Sequence, residues 1–298
     1  MLWRRESPAL NPPGGLHCHQ SHCAAFGREA SNFDSVTVVQ RAKEATEKVI
    51  TATRQLKASL MNHLFTNGPV PFDERPHVSV VESDAGLVPE EWPVVTLGSM
   101  SQLVQYGTSA RCNAQPIGCP VLRIPNIIGS FVDSSDPKYL LASNVEAKRF
   151  VLAKGDILFV RTNAQRSNVG RCAVFWGEPR DSLFASYLIR VRVNTEEILP
   201  EFVRLFAETA TGRASLSGRA SGAADGKFNI NSQTIRWVPV PKPPIAVQRQ
   251  VVETLSSVEA KLAAEEKRRE ALAALFQSLL HHLMTGKVRL PEFAGGWS

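Results

Sequence analysis

Two stretches of helical periodicity bracket the middle of this 298-residue chain. Apolar residues recur every three or four positions through residues 34–66 and again through residues 245–286, a spacing typical of an amphipathic helix. At about 1.5 Å per residue the predicted helices measure roughly 45 and 60 Å. The second is too long for a small neighbouring domain to cover, so it needs another helix as its partner.

The last turns of the two predicted helices share the same residues in register. Leu56–Thr66 aligns with Leu275–Thr285, and a glycine follows each segment, at Gly68 and Gly286. Two unrelated helices would share leucine spacing, but not the serine, the histidine and the threonine as well. The helices are therefore predicted to be copies of one repeated element, which as a pair would hold two recognition units a fixed distance apart. The shared pairs are Leu56 and Leu275, Ser59 and Ser278, Leu60 and Leu279, His63 and His282, Leu64 and Leu283, and Thr66 and Thr285.

The chain between the two helices has a different character. Short β-branched or aromatic runs alternate with turns that contain glycine and asparagine, which predicts strands. Pro200–Thr209 is predicted to be a helix, and the glycine-, serine- and arginine-rich residues 213–231 a loop. Together these features predict an α+β domain of about 150 residues. The predicted strands lie in residues 94–96, 121–124, 156–160, 173–176 and 188–193.

Composition shifts divide the chain into six segments. The first segment is rich in Pro, Gly, Ser and His and is expected to be a disordered tail. Four prolines mark the third segment as a linker. The predicted segments are a tail (1–33), a helix (34–66), a linker (67–91), the α+β domain (92–244), a second helix (245–286) and a short tail (287–298).

The overall composition excludes several classes of protein. No apolar run is long enough to span a bilayer, and the first ten residues lack the apolar core of a secretory signal. The five cysteines, at 18, 23, 112, 119 and 172, are an odd number at irregular spacing, which argues against a disulfide framework. The expectation is a soluble protein of a reducing cytosol, without membrane contact.

Positive charge is concentrated in the predicted domain. Residues 92–244 contain 18 lysines and arginines against 11 acidic residues, whereas the rest of the chain contains 16 against 17. Apart from Lys148 and Arg149 these cations are separated by Asn, Gln, Ser and Gly. Such a distribution suits a surface that meets phosphates and base edges, and a basic domain without a nucleic-acid partner is the alternative.

Arginine, asparagine and glutamine in the predicted loops are the candidate base readers. Arginine can bridge O6 and N7 of guanine, and asparagine or glutamine can bridge N6 and N7 of adenine. The densest group directly follows the apolar strand 157–160, and a loop on a rigid strand is a suitable reader. The candidate DNA-binding residues are Arg111, Asn113, Arg123, Asn126, Arg161, Asn163, Gln165, Arg166, Asn168, Arg171, Arg219, Lys227 and Asn229.

Catalytic alternatives are less well supported. All seven histidines lie outside the predicted domain, which argues against a histidine general base there. The tract 17–23 has zinc-ligand residue types without a second cluster, and residues 11–14 (Asn-Pro-Pro-Gly) lack the aromatic of an amino-methyltransferase motif. Asp136, Glu146 and Lys148 have a nuclease-like order without a clear strand pair to join them. The chain is predicted to be non-catalytic, with no metal or cofactor of its own.

Several motifs in combination resemble one protein family. The chain resembles the target recognition domain of type I restriction–modification specificity (S) subunits, over about residues 36–290. The motifs are Trp92 with Leu97-Gly98; Gly118 with Leu122-Arg123 and Asn126-Ile127; Leu152 with Gly155-Asp156-Ile157-Leu158-Phe159 and Arg161; Asn229-Ile230-Asn231 with Val238-Pro239-Val240-Pro241, Pro243-Pro244 and Gln248; and Leu279-Leu280 with Leu283-Met284-Thr285-Gly286-Lys287-Val288.

The resemblance implies a fold and a set of partners. It implies one globular target recognition domain flanked by two long coiled-coil-forming helices that act as spacers. It also implies that the domain reads one half of a split site on double-stranded DNA. The helices would dock a methyltransferase (M) subunit, which binds S-adenosylmethionine, and restriction (R) subunits would join that core.

Two departures from the family pattern affect the interpretation. Residues 1–33 do not resemble a first recognition domain, and Val247 stands where the family often has an acidic residue before the glutamine matched by Gln248. The first departure suggests a half-length subunit, which would pair as a homodimer through its long helices and read a split palindrome. The alternatives are a truncated remnant that only docks a partner, and a stand-alone DNA nuclease or methyltransferase.

Overall fold

The computed structural model describes residues 20–129, 131–141, 143–223 and 226–285, with the backbone alone at residues 20–35, 144, 146 and 147. The chain falls into two compact units. Residues 55–260 form one, and the chain on either side of them forms the other. In the second unit Arg54 donates to Glu266 at 2.6 Å, and Ile50 is buried.

Long helices lie on both sides of a region of short strands, and shorter helices lie between those strands. The first and the last helix contain 48 and 40 residues. None of the helices in the described ranges is long and apolar enough to cross a membrane. The helices are α1 (Gln20–Asn67), α2 (Asn144–Phe150), α3 (Pro200–Glu208), α4 (Ala210–Leu216), α5 (Ser232–Arg236) and α6 (Ile245–Met284).

The start of α1 corrects the predicted tail. Residues 20–33 are helical, although a disordered segment was expected through residue 33. Residues 16–33 contain no proline and a single glycine, Gly27, and alanine, glutamate and arginine are frequent from Ala24 onward, which favours a helix. The remainder of that tail, with the tract 17–19 and residues 11–14, lies outside the described residues, as does the tail 287–298.

The strands form several small sheets around one central antiparallel sheet. Its strand order is β11 (Cys172–Val174), β9 (Ile157–Val160), β13 (Leu188–Val193), β4 (Ser101–Tyr106). A second sheet has the order β12 (Leu183–Phe184), β5 (Cys119–Leu122), β8 (Lys138–Leu140). The mixture of helices with largely antiparallel strands confirms the α+β expectation. The strands are β1 (Val80–Ser83), β2 (Gly86–Pro89), β3 (Val94–Thr96), β4 (Ser101–Tyr106), β5 (Cys119–Leu122), β6 (Ile127–Ile128), β7 (Phe131–Val132), β8 (Lys138–Leu140), β9 (Ile157–Val160), β10 (Thr162–Asn163), β11 (Cys172–Val174), β12 (Leu183–Phe184), β13 (Leu188–Val193), β14 (Ser221–Gly222), β15 (Phe228–Asn229) and β16 (Pro239–Pro241).

Both faces of the central sheet are buried, which explains its continuous apolar strands. Successive side chains of a strand point to opposite faces, and in β9 Ile157 and Phe159 enter one hydrophobic cluster while Leu158 and Val160 enter the other. The first cluster is completed by α1, α3 and α6, and the second by β5 and β12. Strand β9 is therefore fixed from both sides.

The predicted linker is part of the folded domain. Strands β1 and β2 form an antiparallel hairpin within residues 67–91, and Ala85 and Val88 are buried in the first cluster. The structure differs from the predicted linker because each strand of this hairpin has only four residues, too few to show a periodic pattern beside the four prolines. The beginning of the loop predicted at 213–231 is helical, because α4 extends to Leu216. Thr209 caps this helix by accepting from the Gly212 amide at 3.1 Å.

A partly buried set of charges joins three helices of the unit formed by residues 55–260. Lys57 of α1 lies 2.7 Å from both Glu208 of α3 and Glu259 of α6, and Arg204 bonds the same two carboxylates at 2.8–2.9 Å. Burial lowers the pKa of Lys57, but the charges and hydrogen bonds of the two glutamates outweigh it, so the pKa is raised overall. The neighbouring ends of the long helices are thus anchored to the domain.

Gln248 fastens the start of α6 to the domain. Its fully buried amide accepts from the Leu199 N–H at 2.8 Å and donates to the carbonyls of Glu197 and Pro243 at 3.0 and 2.8 Å. Gln248→Leu is expected to lower the free energy of unfolding by about 2–4 kcal/mol, because three buried or half-buried backbone groups lose their partner. Urea denaturation measures the change. Gln250→Leu, at an exposed position of the same helix, is the control, and equal effects of both would contradict this role.

Candidate nucleic-acid interface

Two chain segments that are distant in sequence form one surface. Residues 161–171 follow β9, and β10 within them pairs antiparallel with β15, while the Ile230 amide donates to the Arg161 carbonyl at 3.0 Å. We call residues 161–171 together with 213–223 and 226–231 the two-loop surface. It contains nine of the thirteen predicted DNA-binding residues: Arg161, Asn163, Gln165, Arg166, Asn168, Arg171, Arg219, Lys227 and Asn229.

The backbone of the first segment packs closely against α4 at Gly170. Gly170 has a φ of +74°, and a Cβ atom there would lie 2.6 Å from the Cβ of Leu216 in α4. Only glycine meets both the conformation and the space. The end of the first segment is thereby seated against the beginning of the second.

The side-chain amides of the first segment are linked by hydrogen bonds. The Asn163 side-chain oxygen accepts from the Gln165 N–H at 2.9 Å and from the Asn168 side chain at 3.3 Å, and Asn168 also donates to the Gln165 side-chain oxygen at 3.1 Å. Among the described residues, nothing accepts from the side-chain NH₂ groups of Asn163 and Gln165. These two groups remain available to an outside acceptor, and Gln165 is exposed.

Arg161 is fixed at the base of the surface. Its guanidinium lies 4.8 Å from the ring centroid of Tyr106, and Nη1 donates to the Ser186 carbonyl at 3.3 Å. Tyr106 is itself held, because its hydroxyl accepts from the Ser232 amide at 2.8 Å. Sequence reasoning missed Tyr106, which comes from β4, and no local pattern links it to this surface.

Two arginines cross between the segments. Arg166 donates to the carbonyls of Ser217, Gly218 and Ala220 at 2.9, 2.7 and 3.1 Å. Arg213 donates in the opposite direction, to the carbonyls of Ser167 and of Val169, the latter at 3.0 Å. Arg213 lies outside the predicted set of DNA-binding residues.

Two exposed arginines lie beside the hydrogen bonds of Arg166 and Arg213. Arg171 and Arg219 are exposed, and neither has a carboxylate partner in the described part of the chain. Arg171 and Arg213 line a cavity of about 480 Å³. Burial, and then the charge of Arg171, lower the pKa of Arg213. The surface therefore offers positive charge next to free amide donors, a combination suited to phosphates and base edges.

The four remaining candidates lie in a different part of the domain. Arg111 and Asn113 are exposed, and the Asn113 backbone pairs with Tyr139. Arg123 lies 3.5 Å from the carboxylate of Asp136, at a turn between β5 and β6. None of these three takes part in the two-loop surface through a hydrogen bond of the described residues.

Asn126 lies buried at the same turn. It is only 2% exposed, its side-chain oxygen accepts from the Arg123 amide at 2.9 Å, and its NH₂ group donates to the carbonyls of Asp133 and Asp136 at 2.9 and 3.2 Å. Both N–H groups of this amide are engaged and the side chain is covered, so in this structure Asn126 presents no donor to a base. Asn126 instead builds the turn that carries Arg123.

The residues of the catalytic alternatives are not gathered into a site in the described ranges. Asp136 faces Arg123, the Glu146 side chain is outside the described set, and the described residues contain no group of three His, Cys, Asp or Glu side chains that could hold a metal. The buried thiol of Cys172 has its pKa raised to about 12 by desolvation. That shift disfavours the thiolate, the nucleophilic form of cysteine.

The fold matches specificity subunits of type I restriction–modification systems. The HsdS subunit from Thermoanaerobacter tengcongensis aligns with a TM-score of 0.52 at 17% identity, over 87% of this chain and 57% of that one. The type I S subunit from M. genitalium aligns with a TM-score of 0.53 at 15% identity, over 85% of this chain and 59% of that one.

The sequence comparisons assign the family. A profile described as "Type I restriction modification DNA specificity domain" matches residues 89–274, more than half of the chain. The chain belongs to this family. It is 29% identical over 190 residues to the EcoKI specificity subunit of Escherichia coli K12, covering 62% of this chain and 40% of the relative. The MjaX specificity subunit of Methanocaldococcus jannaschii is 25% identical over 205 residues, covering 68% and 48%. The matched region thus spans about half the length of these curated relatives.

Proposed function

We propose that this chain is a non-catalytic DNA-specificity subunit of a type I restriction–modification system, with the two-loop surface reading one half of a split site. The observation that carries the proposal is the joining of nine predicted readers on one surface beside a rigid buried strand. Residues 92–244, together with the hairpin of residues 80–89, would be the recognition domain. Family membership and the excess of positive charge support this function.

The two long helices are the proposed docking elements for the partner subunits. Residues of α1 and α6 would pair as a coiled coil, act as spacers, and dock the M and R subunits, with S-adenosylmethionine bound by the M subunit. A homodimer through these helices would present two identical half-sites related by a two-fold axis. The bond between Arg54 and Glu266 and the burial of Ile50 support helix pairing.

The test of this function is purification of the chain with the methyltransferase encoded beside it, followed by mapping of methylated adenines in genomic DNA. A split palindromic motif is expected for a homodimer. An asymmetric motif would mean that another chain supplies the second half-site. A remnant that only docks a partner would form the complex without producing a methylation motif, and Mg²⁺-dependent cleavage by the purified chain would favour a nuclease instead.

Gln165→Ala is expected to weaken binding to the preferred duplex and to leave binding to random DNA unchanged. A bidentate amide contact to adenine contributes about 1–3 kcal/mol of discrimination, or roughly 5- to 150-fold in affinity. Fluorescence anisotropy with both duplexes measures the ratio. Gln102→Ala, at an exposed glutamine of β4, is the control. An equal loss on both duplexes would assign Gln165 to the phosphate backbone.

A further inference from the structure

The contacts between the two segments of the two-loop surface are reciprocal. Arg166 of the first segment holds three carbonyls of the second, and Arg213 of the second holds two carbonyls of the first. Each bond joins a charged donor to a backbone acceptor, and such bonds are stronger than neutral ones. The backbones of both segments are therefore fixed by side chains of the other.

In both arginines the Nη2 group that a base contact would need is already occupied by these bonds. Recognition of guanine needs two neighbouring N–H donors of one guanidinium, and both such edges of arginine include Nη2. In Arg166, Nη2 donates to Gly218 and Ala220, and in Arg213 it donates to Ser167 and Val169. Each Nη2 carries only two hydrogens, so neither arginine has a complete edge left for a base.

The surroundings favour a structural connection. The Arg166 guanidinium lies 5.7 Å from the centroid of the Phe228 ring in β15, and β15 pairs with β10 of the first segment. Arg213 is half-buried against the seam where Gly170 meets Leu216. Gln165, with its free NH₂ group, belongs to the first segment, and the exposed Arg219 belongs to the second. The bonds of Arg166 and Arg213 connect these two segments.

We propose that Arg166 and Arg213 form a reciprocal clamp that makes the two segments a single reading unit, and that base specificity depends on this clamp although neither arginine contacts a base. Both are positioning residues. The inference rests on the proposed function, because it assumes that the surface reads DNA. It also assigns Arg166, predicted above as a DNA contact, to a different role.

The test combines a measurement without DNA and one with DNA. Hydrogen exchange of the full chain follows the amides of residues 161–171 and 213–223 in the wild type and in Arg166→Lys, Arg213→Lys and Arg166→Ala. Binding is then measured on the duplex that the wild-type chain, with its methyltransferase, selects from a random pool, and on random duplex. Arg180→Lys and Arg180→Ala, at a side chain 87% exposed, are the matched controls.

The expected result is a joint response of the two segments. Replacing either arginine with lysine should speed exchange in both segments about tenfold, because the fork that holds several carbonyls is lost. The ratio of preferred to random affinity should fall about tenfold across several base pairs, with the salt dependence unchanged because lysine keeps the charge. The Arg180 variants should change neither exchange nor this ratio.

Other outcomes overturn the clamp. If Arg166→Ala abolishes discrimination at one base pair and leaves exchange unchanged, Arg166 is a reader. If Arg166→Ala lowers all affinities equally and reduces the salt slope, while Arg166→Lys binds like the wild type, Arg166 is a phosphate contact. A wild type that selects no sequence would refute the proposed function, while the exchange rates would still decide whether the clamp exists.

Discussion

Asp156→Ala is expected to lower the free energy of unfolding by about 3–5 kcal/mol, the usual cost of removing one partner from a buried ion pair. Asp156 is inaccessible to solvent and accepts two bonds from Arg192 at 2.7 and 2.8 Å, and its carboxylate lies 3.5 Å from Arg190. Arg190 is 3% exposed. Without the carboxylate it would be a buried cation with no counter-charge.

The pKa of Arg190 supports this expectation. Burial lowers that pKa, and the charge of Asp156 opposes the shift. Removal of Asp156 leaves the desolvation uncompensated. Urea denaturation should show a lower midpoint with the same slope. Glu178→Ala is the control, because Glu178 and Arg180 form an exposed pair at 3.6 Å, and exposed pairs contribute little. An equally small effect of Asp156→Ala would contradict the role of the buried pair.

Phe65→Ala is expected to have a similarly large effect, about 3–5 kcal/mol, because it leaves a cavity in the core. Phe65 belongs to α1 but is 6% exposed, and its ring centroid lies 5.1 Å from that of Phe202 and 5.8 Å from that of Phe206. The end of the long helix is therefore part of the domain core. A chain unfolding in one transition should show the loss as a lower urea midpoint.

Leu56→Ala provides the comparison on the same helix. Leu56 is 49% exposed, and substitutions of exposed residues usually change stability by less than about 0.5 kcal/mol. If both variants had the same small effect, the end of α1 would be a spacer independent of the domain. A large effect of Phe65→Ala alone would show that helix and domain unfold together.

The repeated helix ends illustrate what similarity in sequence leaves open. His63 is buried, bonds the Val70 carbonyl at 2.7 Å and stacks on Phe72, whereas its counterpart His282 bonds the Ser278 carbonyl of its own helix. Periodicity identified both helices, but it could not predict this difference. The reason is that residues 68–72 follow the first copy and fold back over it.

The candidate site was predictable in part. The apolar run 157–160 identified the buried strand, and the density of Arg, Asn and Gln after it identified the first segment of the two-loop surface. Residue type could not distinguish Gln165, whose NH₂ group has no acceptor among the described residues, from Asn126, whose NH₂ group donates to two carbonyls within a turn. The difference depends on hydrogen bonds to residues 133 and 136, whose proximity the local sequence does not encode.

The sequence by itself determined the two long helices, the α+β class of the domain and its positive charge, because periodicity, propensity and charge act locally along the chain. Tertiary structure decided that the predicted linker contains a core hairpin and that residues 161–171 share one surface with residues 213–223 and 226–231. It also decided that Arg166 and Arg213 join the two segments of that surface. These features depend on contacts between residues some fifty positions apart in the chain. Such contacts form only when the strands and helices pack, since burial and hydrogen-bond geometry select one of many pairings that the local pattern allows.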